Sequence, residues 1–327
     1  MIVLYIILGI IGLLIIINVI IFLIVLKSHN KMFNTRFMPS PLITYYDAKE
    51  YSLDSKKIEI NCDNEIIRGN IYTYGDYDKN KIVIFCHGMN ACKEAYMQEI
   101  GTLCQNGFMV IGYDHLGVNE SDGKLKGISA SIKSLDYVIN YVKKDEELKN
   151  KDIYVVGHSW GAYATINIVK FHKDIKGIVA LAPFVNISSF LKHNMNMKNP
   201  LVILMVNLIE FFKFGKYADC DGLKSLKEYN GKVLLLQSTD DNIVNYNYAL
   251  GYLKDNLGDK CEYIILNDRL HNPDYKAEAV KYLSEFVSNI NNYKGKELEE
   301  YFKKQDFHKM GELDDNIMKD IINFINK

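Results

Sequence analysis

Hydrophobic side chains follow two rhythms along this chain. The first is an unbroken run: Met1 to Leu26 carries no charged side chain and is dominated by Ile, Leu and Val. As a helix it would extend about 39 Å, more than the ~30 Å hydrocarbon core of a bilayer requires. The run therefore predicts a transmembrane helix with room to tilt. A cleaved signal peptide is the rival reading, but no basic region precedes the run and no small-x-small site follows it. Lys27, Lys31 and Arg36 come before the first acid, Asp47. By the positive-inside tendency this flank places the rest of the chain on the cytoplasmic side of a cell membrane.

A polar linker, residues 27–55, leads into the second rhythm. Lys57 to Asn61 and Ile66 to Tyr74 flank Asp63 and Asn64 and predict an antiparallel pair joined by a tight turn. Short apolar runs then alternate with helical patterns of ten or more residues: Ile82 to Cys86, Phe108 to Tyr113, Ile153 to Val156, Ile178 to Leu181, Val233 to Gln237 and Cys261 to Leu266. That alternation predicts a mostly parallel sheet covered by helices on both faces, in one α/β domain over residues 56–327. Between the sixth and seventh strands, residues 184–229 contain no strand and read as a helical cap. Its centre, Pro200 to Phe214, is apolar nearly all round. It is shorter than the ~20 residues of a membrane span and contains Asn207 and Glu210. A helix buried on the sheet and a lid lining an acyl pocket are the two readings of it. Residues 274–327 hold two or three amphipathic helices, Tyr275 to Ile290, Lys296 to Lys304 and Leu313 to Ile325, where one would close the sheet, so part of this tail is an insertion.

Charge adds an exclusion. Thirty-nine basic and 40 acidic residues leave a net charge of −1, with no basic stripe beyond the juxtamembrane cluster, which argues against nucleic acid as a partner. The six cysteines lack metal-ligand spacing and read as free thiols packed as small hydrophobes.

The chemistry centres on Gly157-His158-Ser159-Trp160-Gly161, a G-x-S-x-G sequence between the strand pattern Ile153 to Val156 and the helix pattern Ala162 to Phe171. A nucleophile elbow needs this setting: the serine is held strained, and flanking glycines remove side chains that would collide. A serine hydroxyl attacks only when a base takes its proton, so acid and base are expected later in the chain, in that order. Asp240-Asp241 follows one strand and His271 follows the next. Asp241 is preferred as the acid because it begins the turn Asp241-Asn242-Ile243-Val244, with Asp240 the alternative and Asp219 and Asp221 remoter rivals. His29, His172, His193 and His308 read as structural or solvated. His158 can shape the pocket but cannot act as base for its neighbour, and His87 reads as loop packing. An oxyanion would need preorganised donors, for which the backbone N–H groups of Trp160 and Met89 are the candidates.

Taken together, Cys86-His87-Gly88, Tyr113-Asp114-His115-Leu116-Gly117 with Ser121, the Gly157 to Gly161 motif, Asp241-Asn242-Ile243-Val244 and His271-Asn272 resemble the α/β-hydrolase superfamily over roughly residues 56–290. The chain is similar to the serine aminopeptidase and monoacylglycerol-lipase-like branch and to membrane-anchored Bem46-type hydrolases. The resemblance implies an α/β-hydrolase fold, a Ser159–Asp241–His271 triad, Met89 and Trp160 as oxyanion donors, and neither metal nor organic cofactor. The short apolar cap and the long tail depart from the family pattern. Three functions follow as expectations: a membrane-anchored serine esterase acting on a small-molecule or lipid ester, an aminopeptidase or amidase using Glu210, Asp219 or Asp221 to hold a substrate amine, or a silent binding module on the same fold.

Overall fold

The computed structural model describes residues 1–327. Eight strands form one sheet: β1 (Asp54–Cys62), β2 (Glu65–Thr73), β3 (Lys81–Cys86), β4 (Met109–Tyr113), β5 (Asp152–His158), β6 (Gly177–Leu181), β7 (Lys232–Ser238) and β8 (Glu262–Leu266). Their order is β1-β2-β4-β3-β5-β6-β7-β8. β1 and β2 are antiparallel and turn at Asp63, whose φ of 54° is the left-handed conformation that a tight turn demands. β2 also runs antiparallel to β4, and from β4 onward all neighbours are parallel.

Alternate side chains of the central strands serve two cores. Ile82, Ile84, Val155 and Ile178 point to one face; Val83, Phe85, Val156 and Val179 point to the other. The first face is covered by α3 (Ala130–Lys144) and α4 (Trp160–Ile168). The second is covered by α2 (Met97–Gln105) and, from the far end of the chain, α12 (Asp315–Asn326), which contributes Ile317, Met318, Ile321, Phe324 and Ile325. The tail thus closes the sheet with its last helix. The insertion comes first: α9 (Ala277–Ile290), α10 (Gly295–Lys303) and the single turn α11 (Phe307–Met310) gather around Phe286, Phe302 and Met310 in a small core of their own. The cap consists of α5 (Ile187–His193), α6 (Pro200–Phe214) and α7 (Gly222–Glu228), and α8 (Leu250–Leu257) lies between β7 and β8.

Two expectations about the N-terminal region are corrected. The first helix, α1, runs from Ile2 to Phe33 and does not end at Leu26. Its first part is bare, and an 18-residue window has a mean hydropathy of 3.2 with nothing buried. Its last turns pack on α6, with His29 and Phe33 buried. Residues 34–53 are no free tether either. Phe37 exchanges backbone hydrogen bonds with Gly117 and Asn119, and Tyr46, Tyr51 and Leu53 pack on the second core. Apolar residues interleaved through this polar stretch hold it against the domain.

The join between α1 and the domain is a buried carboxylate. Glu210 of α6 accepts hydrogen bonds from the backbone N–H groups of Ile128 (2.9 Å) and Ser129 (3.0 Å), the Ser129 hydroxyl (2.8 Å) and His29 Nε2 (2.8 Å). Lys213 Nζ can only donate, and it lies 3.1 Å from His29 Nδ1, so Nδ1 accepts and Nε2–H donates to Glu210. A Cβ at Gly127 would meet Glu210 Oε1 at 2.4 Å, which explains the glycine there.

Removing residues 1–20 should therefore leave the thermal unfolding midpoint nearly unchanged. His29→Ala should cost about 1.5–3 kcal/mol, the worth of a hydrogen bond to a charged group. Denaturant titration of the detergent-solubilised proteins checks both; equal stability of His29→Ala and the parent would show that the join carries no load.

Candidate active site

β5 ends at His158, α4 starts at Trp160, and Ser159 between them sits at φ 56°, ψ −113°. An L-residue held there costs of order 1–3 kcal/mol, sustained only where the surroundings over-determine it. Here the Ser159 N–H donates to the Leu181 carbonyl at 2.8 Å and the Ser159 carbonyl accepts from Tyr163 N–H at 2.9 Å. Neither flanking glycine can be replaced: a Cβ on Gly157 would lie 2.3 Å from Thr165 Oγ1, and one on Gly161 would lie 1.9 Å from the Cys86 carbonyl oxygen.

His271 Nε2 stands 2.7 Å from Ser159 Oγ, and His271 Nδ1 is 3.0 Å from both carboxylate oxygens of Asp241. The Asp241 carboxylate is fully buried. It accepts from the backbone N–H groups of Ile243 and Val244, each at 2.9 Å, and from Gln237 Nε2 at 2.9 Å. An acceptor fixed on three sides forces His271 to present Nδ1–H to it and leaves Nε2 facing the serine. Asp240 is exposed and takes the Ser238 hydroxyl instead, so of the two adjacent acids only Asp241 reaches the imidazole.

The loop after β3 lies beside the elbow. Besides the Cys86–Gly161 approach, a Cβ on Gly88 would be 3.4 Å from His158 Nδ1. Neither the Met89 N–H nor the Trp160 N–H has a protein acceptor, so both expected donors are free. A relay that the sequence reading missed braces this loop. Gly88 N–H donates to Tyr96 Oη (3.1 Å), Tyr96 O–H donates to His158 Nδ1 (2.8 Å), and His158 Nε2–H donates to the His271 carbonyl (2.8 Å). Burial, and then the neighbouring His271, push the His158 pKa down to about 3, which keeps the ring neutral as this relay requires. Burial likewise takes His87 to about 4, where it donates to the Gly88 carbonyl and accepts from His115 N–H.

The remaining candidates go elsewhere. His172 pairs with Asp136 at 2.6 Å, His193 stacks on Tyr248 and His308 stacks on Tyr46. Asp221 caps α7 through Lys224 N–H and accepts from Asn186, while Asp219 is exposed beside Lys170. Glu210 is consumed by the join with α1. A cavity of about 540 Å³ lies among α5, α6 and α7, and neither Ser159 nor His271 lines it. Glu94, Asp114 and Glu120 converge with metal-ligand spacing, yet Lys93 Nζ stands 2.7, 3.0 and 2.6 Å from them and supplies the positive charge.

Strand order, strained elbow and the Ser–His–Asp geometry define an α/β serine hydrolase. Residues 77–214 match the family described as serine aminopeptidase, S33, and this match supports the S33 branch of the α/β-hydrolase superfamily. It is 28% identical over 147 residues to a proline iminopeptidase of Elizabethkingia meningoseptica, covering 42% of this chain and 47% of the relative, so the chain spans about half the length of that protein. Among solved structures, an esterase of Pyrococcus furiosus superposes with a TM-score of 0.57 at 20% identity over 81% of this chain and 98% of its own. The Est1E protein of Butyrivibrio proteoclasticus with bound ferulic acid does so with a TM-score of 0.56 at 18% identity over 71% and 98%. At these identities the two structures speak for the fold. The comparisons do not bear on the Bem46-type likeness.

Asp241→Asn should lower kcat on a chromogenic ester by roughly 10⁴-fold, since the amide favours the wrong tautomer, while Asp240→Asn should stay near the parent. Steady-state kinetics on the two purified variants ranks them, and the opposite ranking would move the acid to Asp240.

A second expectation concerns pH. Glu99 and Asp274 are buried together behind the His271 loop, and burial, reinforced for Glu99 by the neighbouring Asp274 carboxylate, raises both carboxyl pKa values above the ordinary range. The folded state therefore keeps protons that the unfolded chain releases. This contribution to stability is present below the ordinary carboxylate pKa and is lost as pH rises through the raised one. Melting curves across that window should fall more steeply with pH for the parent than for Glu99→Gln; parallel slopes would mean the pair holds no extra proton.

Proposed function

We propose that this serine hydrolase cleaves a carboxylic ester of an acyl lipid, such as a monoacylglycerol or lysophospholipid, while held at a membrane by α1. Ser159 Oγ attacks the ester carbonyl as His271 Nε2 takes its proton. The Met89 and Trp160 N–H groups hold the oxyanion that forms. Collapse breaks the bond to the alcohol, which leaves with the proton returned by His271. Water, deprotonated by the same imidazole, then attacks the acyl-Ser159 carbonyl; the carboxylic acid departs and the serine is regenerated. Asp241 keeps its proton count throughout and stabilises the imidazolium. Every proton has a named carrier, so the cycle needs no cofactor.

The observation that carries the ester reading is the fate of the three cap acids. An aminopeptidase needs an anion to hold the substrate's free amine. Glu210 is buried with four donors, Asp221 caps a helix, and Asp219 is exposed beside Lys170. None is left to bind an ammonium at Ser159. The bare apolar helix supports the membrane setting and hence a substrate resident in the bilayer. The aminopeptidase reading is favoured by the S33 family description and by the proline iminopeptidase relative. A silent binding module would have no use for a hydroxyl aligned on an imidazole.

A fluorophosphonate probe should label the parent and leave Ser159→Ala blank, and Ser159→Ala and His271→Ala should each lose on the order of 10⁴–10⁶-fold in kcat with no further loss in the double variant. Turnover of long-chain acyl esters should exceed that of aminoacyl anilides. Faster anilide turnover would install the aminopeptidase reading, and absence of labelling would install the silent module.

A further inference from the structure

α6 exposes a face that a water-soluble surface would not carry. Leu201, Leu204, Leu208 and Phe211 recur at spacings of three and four, so they lie along one side of the helix with Phe212 beside them. Phe211 is 52% exposed and Phe212 78%. The helix has only two charged side chains, and both turn inward: Glu210 to His29, and Lys213 to Asn30 at 2.8 Å. Contiguous bare aromatic and aliphatic side chains of this kind mark an interaction surface.

The neighbouring helix says what covers it. Along α1, residues 2–20 are exposed or nearly so, and from Ile21 onward one side becomes partly covered, reaching full burial at His29 and Phe33. Nineteen free residues span about 28 Å, close to the ~30 Å of a hydrocarbon core. The point at which α1 leaves the bilayer is thus the point at which it begins to pack against α6. α6 cannot itself cross, because fifteen residues extend only about 22 Å and Met205, Val206, Ile209 and Phe214 are buried in the domain.

We infer that α6 is an interfacial helix whose Leu201–Phe212 ridge is immersed in the headgroup and upper acyl region of the lipid surface beside α1. The inference rests on the membrane reading of α1. It gives the domain a second point of contact with the bilayer, which fixes its orientation where a single helix would leave it free to rotate.

Phe212→Trp tests this, because the exposed site tolerates the change and the one native tryptophan, Trp160, is buried and can be subtracted. The full chain is reconstituted into phosphatidylcholine vesicles whose lipids are brominated near the top of the acyl chain. The emission added by the introduced indole should shift to the blue relative to an aqueous tryptophan and lose most of its intensity to the bromines. Vesicle flotation of the same sample separates the two ideas. Protein that floats while the introduced indole emits unquenched, as in water, would overturn the interfacial helix and leave the α1 anchor standing. Protein that stays at the bottom of the gradient would overturn the anchor, and the inference with it.

Discussion

The contact on which the site depends is a backbone collision avoided by one missing methyl group. α4 begins so close to the end of β3 that any Cβ on Gly161 would sit 1.9 Å from the Cys86 carbonyl oxygen. That approach brings the Trp160 amide at the head of α4 alongside the His87–Met89 loop. It also leaves the strand-to-helix turn so little room that Ser159 must take a positive φ. Strain at the nucleophile and the closeness of the free N–H at the helix start to the loop after β3 are thus one geometric fact. A helix N-terminus carries partial positive charge, so the place where an oxyanion would form is polarised before any substrate arrives.

Around this contact, polar groups are arranged so that each ring and amide has one workable orientation. Gln237 is the example on the acid side. Its Nε2 donates both to Asp241 and to the Val244 carbonyl, and its Oε1 accepts from Leu250 N–H. With Gln237 fixed at both ends, Asp241 cannot rotate away from His271. On the other side, Tyr96 and His158 tie the His87–Met89 loop to the His271 loop through a neutral imidazole. Both devices are buried, where an unmade hydrogen bond costs about 1–3 kcal/mol, so departures from this geometry are penalised by the protein interior itself.

The succession of strands along the chain, the elbow and the places of Asp241 and His271 were legible because each is written in local pattern. Continuous apolar runs fix buried parallel strands, and G-x-S-x-G fixes a turn that few other sequences tolerate. Partnerships made across the fold were not legible. Tyr96 is an ordinary tyrosine in sequence, and nothing nearby announces that it bonds a histidine 62 positions later. Gln237 did leave a trace, a polar residue ending the apolar run Val233 to Gln237, where a buried amide must have partners. The tail was legible only in part, for a physical reason: helical periodicity shows that α9 and α12 each have an apolar face, but not which core receives it. α12 packs beside α2 on the second face of the sheet.

The first helix, α1, shows the same limit and changes how the enzyme is understood. Charge and hydropathy divide the chain after Leu26, whereas burial divides it near Ile20, and the difference is the stretch that joins the domain. His29 holds Glu210; Glu210 holds the amides of Ile128 and Ser129 ahead of α3; the Ile128 carbonyl accepts the Trp160 indole N–H at 2.6 Å; and Trp160 follows the nucleophile. A chain of hydrogen bonds thus connects the C-terminal end of α1 to the elbow. A carboxylate inserted among apolar helices is costly unless fully paired, and here the pairing requires groups from α1, the cap and the loop ahead of α3 at once. The cap helix therefore cannot move far from the active-site layer without breaking the join to α1. A lid that swings freely on a tether is incompatible with this arrangement. Whatever reaches Ser159 must do so around a cap that is pinned to the same helix that would hold the protein in the bilayer.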